Sequence, residues 1–352
     1  MAYRVIQWAT GHMAKMAARA MAERPAYEIV GSFVYNKEKV GKDLGEICGT
    51  RNLGVKATNS RETIFNMDAD CVLFLAGAEN DNLAALRDVC DLLSSGKNVI
   101  TTSVEFIYPK AMGDEFEQRI MNACKQGHST FHGLGVAPGF GAESMALLLT
   151  RLSSRIDRLI FYETFHYDKY PSKFQMFDLM GFGYAPDDTA PLFSNLEIVG
   201  HVWKHSAMLV ADTVGLKIDK IENFRDVVLA DKDLNVAAGL IRKGTVGAMN
   251  FGTRIISEGK PRIIMQHYTR MDPELAPQWP VGDGYWTIII EGLPSISATI
   301  EIGIHGEIHS DQACLATAMH AIHAVPYVIE AKPGILTLAE TPPVWGGEAF
   351  HR

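Results

Sequence analysis

The string Ala9-Thr10-Gly11-His12-Met13-Ala14 has the form AxGxxA, follows a β-prone stretch from Tyr3 to Trp8, and opens a run rich in Ala and Met. Such a turn suits a dinucleotide. Gly11 lets backbone approach a pyrophosphate, free N–H groups at the helix start face its charge, and Ala14 is small enough for the helix to lie on a sheet. Ala9 stands where the GxGxxG pattern has its first glycine, so this turn must tolerate a Cβ there. The hexapeptide alone is a weak signal; its place between a strand and a helix, followed by further βα units, carries the reading. Ala9, Thr10, Gly11, His12 and Met13 are therefore expected to contact the cofactor. The second strand ends in Val34-Tyr35-Asn36-Lys37-Glu38-Lys39, with no acid at the tip itself to accept from an NAD ribose. Asn36, Lys37 and Lys39 suit a phosphorylated ribose, which favours NADP with NAD as the alternative.

Thr101-Thr102-Ser103-Val104-Glu105 directly follows an apolar strand, on the side where open α/β sheets bind ligands. Two readings stand: a carboxylate, Glu105, set for proton transfer near the nicotinamide, or a helix cap in which Glu105 decorates the first turn. Ala76 and Thr102, at neighbouring strand ends, join the expected cofactor contacts. Val136-Ala137-Pro138-Gly139-Phe140-Gly141 is a second turn at a strand end, either a wall for the nicotinamide ring through Pro138 or a domain hinge. The aromatic cluster Phe161, Tyr162, Phe165, His166, Tyr167 and Tyr170 either lines a small apolar substrate pocket with phenols to orient a polar group, or forms core and dimer surface. His201 and His205 fall four apart on a predicted helix, but they lack the Glu of HExxH and a third ligand. No metal is expected, and one of the two histidines is a candidate for the pocket.

These residues need elements to hold them. Strand patterns at 3–8, 28–35, 70–76, 98–102 and 129–136 alternate with helical patterns at 14–23, 80–94 and 114–126, the signature of a parallel sheet covered on both faces. After helical patterns at 142–152, 174–180 and 197–214, long β-prone stretches at 158–165, 221–229, 244–257, 261–269, 285–291 and 297–305 predict a mostly antiparallel sheet. The fold class is α/β: a Rossmann-type parallel-sheet domain with a second α+β domain. The expected boundaries are 1–137 for dinucleotide binding and 138–310 for substrate and dimerisation. Residues 311–352 form a helix and tail returning to the first domain, with a surface tail packed by Leu336, Leu338 and Trp345.

The 352 residues, 47% hydrophobic and 21% charged, supply a large core, and the length argues for two domains. A formal charge of −8 disfavours nucleic acid or an acidic membrane as partner. Five widely spaced cysteines without a CxxC read as reduced thiols in a cytoplasmic protein, and neither a signal peptide nor a membrane span is visible.

The strings YRVIQWATGHMAK, VYNKEKVGKDLGE, TTSVE and YPSKFQMFDLMGFG together resemble the family with a dihydrodipicolinate reductase N-terminal domain, and within it the 2,4-diaminopentanoate dehydrogenases and native amine dehydrogenases. The resemblance spans nearly the whole chain. It implies an NAD(P)-dependent oxidoreductase that interconverts a small amine and its ketone or aldehyde plus ammonia, working as a metal-free homodimer. It implies Glu105 as the catalytic residue, with Phe140, Tyr162, Phe165, Tyr170 and His201 lining the substrate pocket. Phe165 stands where a tyrosine often occurs, which bears on the amine accepted. Reduction of a cyclic imine, ketone or alcohol chemistry, and non-catalytic dinucleotide binding are the rival readings. The HH and KxxG signatures of dihydrodipicolinate reductase itself are not visible.

Overall fold

A computed structural model describes residues 2–77 and 82–349, so the expected helix start at Asn80 lies outside the described residues. The chain forms two compact units, Met1–Phe140 with Ser310–Arg352, and Gly141–His309.

The first unit opens with β1 (Tyr3–Trp8), α1 (His12–Ala22), β2 (Tyr27–Phe33), α2 (Leu44–Cys48), β3 (Ala57–Thr58) and α3 (Arg61–Phe65). It continues through β4 (Cys71–Phe74), α4 (Asn82–Ser94), β5 (Asn98–Thr101), α5 (Asp114–Gly127) and β6 (Thr130–Gly133). Strands with buried residues on both faces demand cover on both sides, and α1 answers on one side with Ala14, Ala17 and Ala18, small enough for close approach. Trp8 stacks on Phe33 at 3.9 Å between ring centroids and on Phe74 at 5.6 Å, tying three adjacent strands, β4, β1 and β2, together.

In the second unit α6 (Ala146–Thr150) leads into β7 (Arg155–His166), α7 (Leu196–Thr213), β8 (Lys220–Leu229), β9 (Leu234–Val236), β10 (Gly239–Ile241), β11 (Val246–Ser257), β12 (Lys260–Arg270), β13 (Tyr285–Leu293) and β14 (Ile296–Glu301). The six-stranded sheet runs β14-β13-β7-β12-β11-β8. Its pairings are antiparallel except β7 with β12. α7 packs on one face through Trp203, which meets Phe161 of β7 at 5.2 Å. Gly200 admits the helix: a Cβ there would lie 2.3 Å from the Asn223 amide on β8.

The chain then returns to the first unit as α8 (His309–Glu330) and β15 (Gly334–Leu336). The parallel sheet has the order β15-β6-β5-β4-β1-β2-β3, so the direction of winding switches beside β1, where open α/β sheets leave a crevice at the carboxyl ends. The tail expected to lie wholly on the surface instead supplies this edge strand. β15 pairs in parallel with β6, Leu338 is buried, and Trp345 stays exposed. A strand of three residues is too short to show alternation, and the same holds for β9 and β10. The helical patterns near 142 and 175 are realised as π-helical turns at Phe140–Met145 and Phe174–Leu179.

Candidate active site

The turn after β1 is built on two unlike residues. Ala9 has φ +83°, the left-handed region that costs an L-residue energy, and is held by its N–H donating to the Phe33 carbonyl at 2.9 Å. Gly11 begins α1 with φ −71° and ψ −173°, a conformation any residue adopts, and among the described residues no atom beyond its own chain neighbours and helix backbone lies within 4 Å of where its Cβ would stand. Nothing in the fold requires glycine there. The space beside it suits a ligand that comes close to the backbone, and α1 has no side-chain cap on its first N–H groups, which suits an anion. Lys39 donates to the Thr10 hydroxyl at 3.0 Å, which brings a cation from the end of β2 onto the turn. Asn36 accepts from the Glu38 N–H and caps the short turn that carries Lys37 and Lys39. His12 meets Asp311 of α8 at 2.9 Å, and Met13 is half-buried. The turn and the uncapped start of α1 fit the pyrophosphate of a nicotinamide dinucleotide.

After β5 the chain turns sharply. Ser103 does not cap the following 3-10 turn, Val104–Phe106, with its side chain; its hydroxyl donates to the Ala76 carbonyl at 2.8 Å and ties the ends of β4 and β5 together. Glu105 lies in the first turn of this short 3-10 helix, which no side chain caps, and is 9% exposed. Gly133 of β6 makes room, because a Cβ there would stand 2.0 Å from the Phe106 carbonyl oxygen. Thr102 is half-buried beside this turn. Beyond β6, His320 of α8 meets the Gly135 carbonyl at 2.8 Å through Nδ1 and takes the edge of Phe140 at 5.7 Å, which fixes the turn carrying Pro138. Burial pushes the His320 imidazole below its usual range, so the contact is made by a neutral ring.

In the second unit the expected pocket residues divide. Alternation along β7 places Phe161, Glu163 and Phe165 toward α7, whereas Tyr162 lies on the opposite face with its ring edge-on to Tyr268 at 5.7 Å. Tyr162 and Phe165 therefore do not share a wall. Tyr170 packs edge-on to Tyr167 at 5.7 Å. On α7, His201 is exposed, while His205 is buried close to Ser206, whose hydroxyl donates to the fully buried Glu143.

The sequence reading missed a row across this sheet. Register puts Trp286, Glu163, His267 and Phe251 side by side on four strands. Glu163 accepts from the Trp286 indole N–H at 2.8 Å and meets His267 Nδ1 at 3.0 Å. Burial works to raise its carboxyl, but the His267 imidazole and the Trp286 N–H outweigh it and hold the group below the usual carboxylate range. The local signal was there: one carboxylate inside the apolar run Leu159 to Phe165.

Comparison with known proteins adds the lineage of each segment. Residues 5–79 match the model for the dihydrodipicolinate reductase N-terminus, and residues 172–346 match that for the 2,4-diaminopentanoate dehydrogenase C-terminal domain. An amine dehydrogenase of Streptomyces virginiae is 31% identical over 344 residues, covering 96% of this chain and 95% of that protein. A 2,4-diaminopentanoate dehydrogenase of Acetoanaerobium sticklandii is 23% identical over 70% of this chain and 66% of its own length. A solved amine dehydrogenase from Mycobacterium smegmatis superposes with a TM-score of 0.77 at 21% identity, covering 97% of each chain, which shows a shared fold.

Proposed function

The chain belongs to the amine dehydrogenase family, and we propose that it interconverts a small amine with its ketone or aldehyde plus ammonia, using NADP in preference to NAD. The observation that carries this reading is the open space beside Gly11, at the start of a helix without a side-chain cap in a parallel sheet that also holds a carboxylate in a turn after β5. The nicotinamide, when bound, accepts hydride from the amine carbon or returns it. Ala9, Thr10, Gly11, His12 and Met13 hold the pyrophosphate, and Ala76, Thr102 and Pro138 hold the nicotinamide end. Lys39, already seated on Thr10, supports NADP, because it sets a cation where a ribose phosphate would lie.

Glu105 is the proton acceptor. In the oxidative direction it takes a proton from the substrate ammonium, so that the nitrogen lone pair can assist loss of hydride from carbon. Once that proton has passed to solvent, Glu105 takes a proton from the water that adds to the iminium and returns it to the nitrogen, which leaves as ammonium when the carbinolamine collapses to the carbonyl. In the reductive direction it holds ammonium and removes its proton as the nitrogen adds to the carbonyl. Phe140, Phe165 and Tyr170 shape the substrate site; the exposed His201 and the outward Tyr162 are not carried into it. All five cysteines are unpaired, which supports a reducing, cytoplasmic setting, and a homodimer belongs to the same reading. Among the described residues no helix is long and apolar enough to cross a membrane.

The test is a panel of small ketones and aldehydes with NADPH or NADH, with and without ammonium. Turnover that requires ammonium and prefers NADPH is expected, and Glu105→Gln should lower kcat by roughly 10²- to 10⁴-fold with NADPH affinity unchanged. Carbonyl reduction that continues without ammonium would assign the chain to alcohol chemistry instead.

A further inference from the structure

The α7-facing side of the second sheet is apolar over most of its length, with Leu159, Phe161, Ile263, Met265, Ile288 and Ile290 buried. Toward the carboxyl ends of β7 and β12 its character changes. Glu163 keeps 14% of its side-chain surface exposed, although it lies between Trp286 and His267. The His267 ring is clamped between Phe251, at 5.1 Å and 12°, and Tyr167, at 5.9 Å and 11°, so it cannot swing away from the carboxylate. His309 packs against both Phe165, at 5.3 Å, and Trp286, at 5.5 Å. It fits there because Gly284 has no side chain: a Cβ would stand 2.3 Å from the His309 Nδ1.

Two features point to a ligand. A carboxylate has about four lone-pair sites, and Trp286 and His267 take one on each oxygen; the remaining sites go with the surface left open. On the same face, among the described residues, four buried polar atoms have no hydrogen-bonding partner: His267 Nε2, Thr269 Oγ1, Arg225 Nε beyond Phe251 and, on α7 above Phe161, Trp203 Nε1. Buried polar atoms are nearly always satisfied, so orphans on the face that carries a partly open carboxylate mark a place where a polar molecule completes the bonding.

We propose that Glu163, clamped by His267 and Trp286, is a specificity determinant that binds a hydrogen-bond-donating group of the substrate, a hydroxyl or second amine apart from the reacting carbon, and rejects carboxylates. The aromatic surroundings of Phe165, Tyr167 and Trp286 accept the carbon chain, and the carboxylate, held ionised by its two donors, accepts from the polar end. An anionic substrate group would meet like charge in a poorly solvated setting. A buried Glu–His pair of this kind would be an expensive way merely to stabilise a sheet, since such pairs seldom outperform apolar packing.

This inference rests on the amine dehydrogenase reading, and three carbonyl probes of matched length keep the two separable: pentan-2-one, 5-hydroxypentan-2-one and 4-oxopentanoate, each with ammonium and NADPH. The expected order of kcat/KM is hydroxyl, then alkyl, then carboxylate. Glu163→Gln should lower the hydroxyl-to-alkyl ratio and raise the carboxylate-to-alkyl ratio, each by about tenfold. His267→Gln, which keeps a donor for Glu163, should preserve the wild-type order. A wild-type enzyme that prefers 4-oxopentanoate, or ratios that stay fixed in Glu163→Gln, would overturn the inference while leaving the reaction intact. If no probe turns over, the reaction reading fails; calorimetric titration of the same probes into the NADPH-loaded protein then tests the binding order directly, and equal affinities would overturn the inference.

Discussion

The two sheets of this molecule handle buried ionisable groups in opposite ways. In the parallel sheet, His132 of β6 is fully buried, meets the Leu336 carbonyl at 2.7 Å, and is pushed down to about 4 by burial, so it stays neutral at physiological pH. In the mixed sheet, Glu163 is also enclosed but is kept charged by His267 and Trp286. A neutral imidazole carries no charge that a partner must balance, although its Nε2 has no hydrogen-bonding partner among the described residues. An ionised carboxylate that keeps part of its surface open has capacity left for a ligand. On the proposed reading, the first unit works through turns beyond its strand ends, and the second recognises its ligand across the strands themselves.

The sharpest way to break this contrast is to remove the partner that keeps Glu163 charged. His267→Leu leaves a carboxylate with burial acting against its ionised form, and should cost about 3 to 5 kcal/mol at pH 7. The two proteins respond to acid in opposite directions. In the native protein the Glu163 carboxyl is held below its ordinary value of 4.5, so the stability it contributes is present above that value and lost as pH falls through the folded one. In His267→Leu burial lifts the carboxyl, so the gap between variant and parent should narrow from pH 7 to pH 5. Urea unfolding at the two pH values checks this, and a gap that widens on acidification would show that Glu163 is not the group left exposed to the loss.

On the side of the parallel sheet the corresponding substitutions act on ligand binding. Gly11→Trp should abolish nucleotide binding, and Gly11→Ala should weaken it about tenfold, both with unfolding midpoints unchanged, because the Cβ space there is open. Nucleotide titration followed by fluorescence reads the outcome, and full affinity in Gly11→Trp would remove this turn from the cofactor site. Smaller still, Lys39→Ala should lower NADPH affinity several-fold, toward tenfold for loss of one charge-assisted contact, and leave NADH untouched. Equal loss for both cofactors would mean that Lys39 supports the turn through Thr10 rather than reading the ribose phosphate.

The same contrast explains what could be read from residues alone. The phosphate turn, the lysines after β2 and the Glu105 segment are breaks in strand patterns, and Gly, Thr, Ser and Lys in such breaks are visible within a few residues. The alternation of strands and helices gave the α/β class for the same reason, since each element is long enough to show its period. The register between Glu163 and His267 was not legible. They are 104 positions apart in sequence and meet only through the parallel pairing of β7 with β12. The opposite facing of Tyr162 and Phe165 has a simpler reason: an odd separation along a strand puts side chains on opposite faces. Gly133 was passed over because its role, clearance for the Phe106 carbonyl behind the Glu105 turn, depends on an approach between β6 and the turn after β5.

The smallest expected effect separates backbone need from ligand need within a single turn. Ala9 occupies φ +83°, where an L-residue pays roughly 1 to 2 kcal/mol that glycine does not. Glycine in turn loses more freedom on folding, about 0.5 to 1 kcal/mol, so Ala9→Gly should gain no more than about 1.5 kcal/mol. In a domain of this size that raises the melting temperature by about 3 to 6 °C at most. Gly11→Ala should leave melting unchanged and weaken the nucleotide, while Ala9→Gly should raise melting and leave the nucleotide bound as before. If Ala9→Gly instead lowers stability, the fixed alanine is holding the turn in its ligand-ready shape against a more flexible backbone, and its Cβ, packed at 8% exposure, is the group to test next by Ala9→Ser.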